Sequence, residues 1–235
     1  IGKGIVFDVN SLYPSVMFYE PMPFGEPLRF EGKYEDNKYY PLFVQKLMCH
    51  FELKKGMLPT IQLKNNPRFV GTEYLTNNND EDVVLTLTNV DLKLFLEHYN
   101  VTNIEYMGGY MFKQTTAIFK EYINKWIKVK IDATINKNGA MRTLAKLMLN
   151  SLYGKFALNP ICSNKIPFLD NDIIRYSRGE EETRDSLYIP IGTFITAYAR
   201  DKTIRSAQKV KERFIYADTD SLHLEGTEIP QDLKV

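Results

Sequence analysis

Arg213-Phe214-Ile215-Tyr216-Ala217-Asp218-Thr219-Asp220-Ser221 sets two carboxylates two residues apart behind an apolar run. An apolar strand leading into such a turn predicts a hairpin around Phe214–Leu224 with both acids at its tip. Like charges that close repel one another unless a cation neutralises them. Hard carboxylate oxygens suit a divalent ion such as Mg²⁺. An Asp-rich turn is a common surface feature, so Asp-x-Asp alone says little. The longer form, Tyr-x-Asp-Thr-Asp-Ser, says far more.

Working outward, a second acid stands at the other end of the chain, in Phe7-Asp8-Val9-Asn10-Ser11-Leu12-Tyr13-Pro14-Ser15. Gly4–Asp8 predicts a short buried-type strand ending on Asp8. A helix is predicted to start just after it, led by Ser, with Pro near the first turn. A helix start presents free backbone N–H groups, which can hold an anion such as a triphosphate. By itself the segment fits equally well an acid that only turns the chain.

The third constellation is Arg142, Lys146, Asn150 and Tyr153, spaced by four, four and three. That spacing puts all four on one helical face, beside an apolar face of Met141, Leu144, Ala145 and Met148. Two cations, an amide and a ring in line could grip a triphosphate and read a base pair. A solvated Lys/Arg face is the usual alternative. It leaves unexplained why Asn and Tyr continue the row up to Gly154, expected as a C′ cap.

Charge is segregated around this helix. Between Lys113 and Lys155 lie nine basic residues against two acidic ones, about +7, leaving about −6 elsewhere for a net +1. A phosphate-handling element in an acidic, metal-holding scaffold has that distribution, and so can a solvated face. With 44% hydrophobic and 25% charged residues in 235, a folded core is expected. The apolar runs are too short for a membrane span, and no basic-then-apolar leader opens the chain. Cys49 and Cys162 lack ligand-like spacing, so a reduced, cytosolic setting is expected.

The pattern between these motifs predicts an α+β fold. Three prolines and Gly25 make Pro21–Pro27 a turn cluster. Phe30 to Met111 looks strand-like and mixed, with alternation in Phe51-Glu52-Leu53 and Val83–Leu87, a polar loop at Thr76–Asp82 and a short helix over Asn89–His98. Apolar recurrence at Phe119, Tyr122, Ile123, Trp126 and Ile127 predicts a helix over Thr115–Val129. With a second helix over Ala140–Tyr153 and a turn at Asp132–Gly139, it makes an antiparallel helical pair. Ile166–Pro190 is expected as a hairpin tipped by Arg178–Glu182, and Phe194–Lys209 as a helix. His50, His98 and His223 are scattered and expected in structural or surface roles, with Trp126 in the core.

Together the motifs resemble the family B DNA polymerases. Asp8-Val9-Asn10-Ser11-Leu12-Tyr13-Pro14-Ser15 resembles motif A, Lys146-Leu147-Met148-Leu149-Asn150-Ser151-Leu152-Tyr153-Gly154 motif B, and Tyr216–Ser221 motif C. Gly25–Tyr34, Asn89–Tyr99 and Thr196–Arg200 extend the likeness to the protein-primed replicases of small tailed bacteriophages. This implies a palm of antiparallel sheet and helices, fingers made of the helical pair, and an inserted subdomain. The corresponding segments are 1–19 and 190–235 for the palm, 20–116 for an insertion facing the terminal protein, 117–156 for the fingers and 157–189 for a second insertion.

The resemblance also implies chemistry. Two Mg²⁺ ions, or Mn²⁺ in their place, roughly 3.5–4 Å apart, clamp the attacking and leaving oxygens. Asp8 and Asp220 match the metal ligands and Asp218 has a supporting catalytic role. Leu12 and Tyr13 would offer N–H groups to the nucleotide, and Tyr13 would exclude a 2′-hydroxyl. Lys130, Arg142 and Lys146 would neutralise the triphosphate, while Asn150 and Tyr153 line the nascent base pair. Thr196, Arg200, Ser221 and Gly154 are implied contacts to DNA. Implied partners are template-primer DNA, dNTPs and a terminal priming protein, with no membrane, in the host-cell cytoplasm.

The family's Asp-x-Glu exonuclease motif does not occur here, and its Lys-x-Tyr element and thumb would follow motif C. Only fifteen residues follow Asp220, and position 1 is Ile, so a fragment of a longer protein is expected. Rival readings are a two-metal nuclease, an RNA-templated polymerase, and a non-enzymatic piece that binds DNA or the priming protein.

Overall fold

The computed structural model describes residues 2–64, 66–79, 81–185, 187–231 and 233. Among these residues, nine strands form three antiparallel sheets, and five α-helices pack among them. The first sheet joins the two ends of the sequence. β1 (Gly4–Asp8), β8 (Phe214–Asp218) and β9 (Ser221–Glu225) lie in the order β1-β9-β8. Its strands lie where the sequence predicted them, because an apolar run bounded by turn residues leaves few alternatives. β1, however, is not the buried strand expected, since as a sheet edge it leaves Val6 exposed and Ile5 and Phe7 only half-buried.

The second sheet, in the order β2-β5-β3-β4, is built from β2 (Met22–Phe30), β3 (Leu42–Leu53), β4 (Val83–Thr88) and β5 (Tyr99–Thr115). The expected turn cluster at Pro21–Pro27 is therefore strand from Met22 onward. β2 is an edge strand with a register shift between Phe24 and Leu28, and Gly25 there takes φ 74°. An edge strand with a bulge accepts prolines, which cannot donate to a ladder. Gly109 of β5 lies so close to the Val44 carbonyl that no side chain would fit. Buried Gln45 bridges the Gly32 and Gly108 carbonyls across this region.

Helix α1 (Leu12–Tyr19) starts at Ser11, but not as a side-chain cap: Ser11 is left-handed, φ 59°, and makes no capping bond. Helix α2 (Asn89–His98) has the predicted bounds and is capped by Thr88, whose Oγ1 accepts from Asp91 N at 3.1 Å. Helix α3 (Lys120–Ile135) starts later than expected because β5 runs on to Thr115, and it continues to Ile135, into the expected turn. Asn138 caps α4 (Gly139–Phe156), which continues through Gly154 for two more residues. Gly154 is thus not a C′ cap. Phe156 packs edge-on against Phe119 at 5.6 Å, an aromatic contact from the last turn.

Helix α5 (Ile189–Lys209) begins before Phe194, with Pro190 in its first turn. The third sheet is the hairpin of β6 (Ile161–Asp170) and β7 (Ile173–Thr183). Its tip is Asn171-Asp172, both at positive φ, not Arg178–Glu182, which lies inside β7. Asn and Asp tolerate the left-handed backbone of a two-residue hairpin turn.

Two cores form. One gathers α1, α3, α4 and α5 with Met22, Leu42 and Phe112 of the second sheet, around fully buried Phe194. The other sits between the second sheet and α2, around Phe95 and Tyr99. Trp126 lies against the first core, as predicted.

Candidate active site

The acids of the two distant motifs meet through strand register. Asp8 ends β1 and pairs with Ser221 of β9; Asp218 ends β8 and pairs with the same Ser221 from the other side. The Val9 N–H donates to Asp220 O at 2.7 Å, so the β8–β9 turn is tied directly to the residue after Asp8. Within the turn, Ser221 Oγ donates to Asp218 O at 3.1 Å, and Thr219 Oγ1 donates to Asp218 Oδ1 at 3.1 Å. Asp8 and Asp218 are exposed and Asp220 half-buried, so the carboxylates face solvent and a ligand could reach them.

The acids' fit to divalent ions rests on donor chemistry. Among the described residues, no three acidic, His or Cys side chains form a metal-holding cluster. A hard cation such as Mg²⁺ is commonly bound by one or two carboxylates plus substrate phosphates and water. Asp8 at the end of β1 and Asp220 in the β8–β9 turn tied to Val9 are oxygen donors of that kind.

Helix α1 carries Tyr13 from the same corner. Its ring stacks on that of Tyr153 from α4, centroids 4.4 Å apart at 18°. Burial raises the Tyr13 phenol above its ordinary pKa; Tyr153 and Asp220 push it the same way, and Arg200 pulls back. Tyr13 therefore lies within electrostatic reach of the Asp218–Asp220 turn. Leu12 has its side chain in the core, 2% exposed. With no side-chain cap at Ser11, the first-turn N–H groups of α1 are left for an anion.

On α4, Arg142, Lys146 and Asn150 are exposed and Tyr153 half-buried. The apolar face differs from expectation: Ala145 and Leu149 are buried, whereas Met141 and Leu144 are about 40% exposed. The helix leans on α3 through that narrower stripe, with Tyr122 Oη donating to Met148 O at 2.9 Å. Lys130 of α3 lines a groove of about 510 Å³ with Ser11, Pro14, Phe18 and Ile127.

On α5, the Thr196 hydroxyl turns back to its own helix, 2.8 Å from Thr193 O. Arg200 Nε and Nη2 donate to the Oδ1 and Oδ2 of Asp91 at 2.9 and 3.2 Å. Two residues here carry no sequence signal. Asp91 is one of two acids on a short helix, and Thr203, whose Oγ1 donates to Thr219 O at 2.9 Å, is an ordinary mid-helix threonine. His50 bonds Asp82 and Asn103, and buried His98 bonds Leu58 O.

A small antiparallel sheet with acids on two strand ends and in the turn between, joined through α1 to a basic helical pair, is the α+β arrangement of a polymerase fold. The chain belongs to the family of DNA polymerases of type B, organellar and viral, whose model matches residues 1–235. It is 53% identical over its whole length to the DNA polymerase of Bacillus phage Nf and 52% to that of Bacillus phage phi29. It spans 40% of the length of each. The phi29 DNA polymerase complexed with primer-template DNA and incoming nucleotide substrates superposes with a TM-score of 0.90 at 52% identity, over 98% of this chain and 40% of that one. No helix among the described residues is long and apolar enough to cross a membrane.

Proposed function

We propose that this chain is the palm and fingers of a template-directed DNA polymerase that adds a deoxynucleotide from a dNTP to a primer hydroxyl. The observation that carries it is the shared register of Asp8 and Asp218 on Ser221, with Asp220 tied to Val9. Mg²⁺, or Mn²⁺ in its place, would supply charge neutralisation at the attacking and leaving oxygens. Asp8 and Asp220 would hold the ions, with Asp218 in support. The N–H groups of Leu12 and Tyr13 receive the triphosphate, and Lys130, Arg142 and Lys146 offset its charge. The Tyr13 ring, braced by Tyr153, closes the space a ribose 2′-hydroxyl needs, and Asn150 and Tyr153 border the new base pair.

Ser221, Gly154, Thr196 and Arg200 line the path of template and primer. The partition that goes with this function is palm at 1–19 and 190–235, insertions at 20–116 and 157–189, and fingers at 117–156. Facing a terminal protein, the first insertion would serve protein-primed replication of a phage genome in the host cytoplasm. The phage relatives favour that form.

Primer extension on a short primed DNA with Mg²⁺ and dNTPs, run beside Asp220→Asn, tests it. Incorporation that disappears in the variant supports the assignment. Incorporation that survives the substitution overturns it. So does an inactive chain whose salt-sensitive DNA binding survives both Asp8→Asn and Asp220→Asn, the behaviour of a non-enzymatic binding piece. Mg²⁺-dependent degradation of DNA without nucleotides would instead identify a nuclease.

A further inference from the structure

The carboxylate turn is braced from behind by a residue outside every motif. Thr203 lies on α5, 9% exposed, and its Oγ1 donates to Thr219 O at 2.9 Å. The same hydroxyl is 3.1 Å from Ala199 O, one turn back. A hydroxyl has one proton to donate, and the Ala199 carbonyl is served by the ladder of its own helix. The shorter contact, to the turn, is the one that adds something.

Thr219 needs this support. It is β-branched yet takes φ 50°, a left-handed backbone such residues rarely adopt. Strain of this kind persists where the surroundings over-determine it. The sheet supplies two ties, Val9 N–H to Asp220 O and Ser221 Oγ to Asp218 O. The third tie, from α5, grips the peptide plane between Thr219 and Asp220. That plane orients the Cα–Cβ bond on which the Asp220 carboxylate turns.

We propose that Thr203 is a positioning residue for the acidic site, its hydroxyl holding the Asp220 carboxylate in place for a divalent cation. This rests on the metal role assigned to Asp220 above, and the test separates the two. Mn²⁺ binding to the chain is followed by the electron paramagnetic resonance signal of the free ion, alongside metal-free melting. The unsubstituted chain is compared with Asp220→Asn, Thr203→Val and Thr203→Ser.

Thr203→Val keeps shape and loses the hydroxyl; it is expected to weaken Mn²⁺ binding by roughly tenfold, the scale of one unsatisfied hydrogen-bonding group. Its metal-free melting stays within a few degrees of the parent. Thr203→Ser keeps the hydroxyl and binds within about twofold of the parent. Thr203→Val binding as tightly as the parent, while Asp220→Asn binds weakly, would overturn the proposal alone. Equal weakening in Val and Ser would overturn it too, since that reports packing. Asp220→Asn binding as well as the parent sinks the metal role itself and the proposal with it. If Thr203→Val does not fold, Thr203→Ser against Thr203→Ala decides the point: Ser binding and Ala not supports it, and equal binding refutes it.

Discussion

Removing the Asp91–Arg200 pair should uncouple α2 from α5, and the size of the effect follows from its geometry. The contact is two-pronged, 2.9 and 3.2 Å, between a carboxylate 13% exposed and a guanidinium 44% exposed. Asp91 Oδ2 also accepts from Thr88 Oγ1 at 2.9 Å, which fixes the carboxylate before the arginine arrives. A fully exposed pair contributes at most about 1 kcal/mol. Hydrogen bonds to charged groups contribute about 1.5–3 kcal/mol. A bidentate contact with one well-covered partner falls between, so a double-mutant cycle of Asp91→Ala and Arg200→Ala should give a coupling of about 1–2 kcal/mol.

For a chain this long, that corresponds to about 2–8 °C in melting temperature. Urea unfolding of the four proteins measures it, provided the slope with denaturant stays constant. A coupling below about 0.3 kcal/mol would refute the reasoning, because it would place the pair among solvent-screened surface contacts.

Three other outcomes follow from the same geometry. Tyr13→Val should relax discrimination against ribonucleotides in single-nucleotide incorporation; unchanged discrimination would remove Tyr13 from the sugar pocket. Burial pushes the Cys49 thiol up to about 11, so at pH 8 native alkylation should modify Cys162 and spare Cys49 until the chain is unfolded. Rapid native labelling of both would contradict it. The hydrogen bond from Arg205 holds Glu97 below the usual carboxylate range, so its stabilisation is present above the unfolded pKa and lost as pH falls through the folded one. Asp201, raised by burial, has the opposite sign: its contribution is complete at low pH and lost as pH rises. Glu97→Gln should therefore lower stability at pH 7 and flatten the acid limb, while Asp201→Asn should cost little or nothing there. Thermal melts from pH 3 to 7 that show the reverse order would refute the assignment.

Glycines, prolines and Asp-rich turns made much of the local structure legible, since they restrict the backbone whatever surrounds them. β1 and the β8–β9 hairpin could be bounded that way, and so could the acids that end them, while α2 was legible as a short capped helix. Edges and bulges could not. The prolines of β2 signal a turn locally, and only the pairing with β5 on one side makes them strand. Gly154 signals a helix end, and packing around Phe156 carries the helix past it.

The sequence by itself determined the family and which residues are proposed to carry its chemistry, because Asp8, the Lys146–Gly154 row and Asp218–Asp220 sit in strings specific enough to recognise. Tertiary structure alone decided how they meet. Register across β9 places Asp8 beside a turn 210 residues later, an α1–α4 contact stacks Tyr13 on Tyr153, and α5 reaches under the turn through Thr203. Such contacts join residues far apart in the chain, and a hydroxyl or carboxylate that acts through one of them looks like any other Thr or Asp until its partner is known.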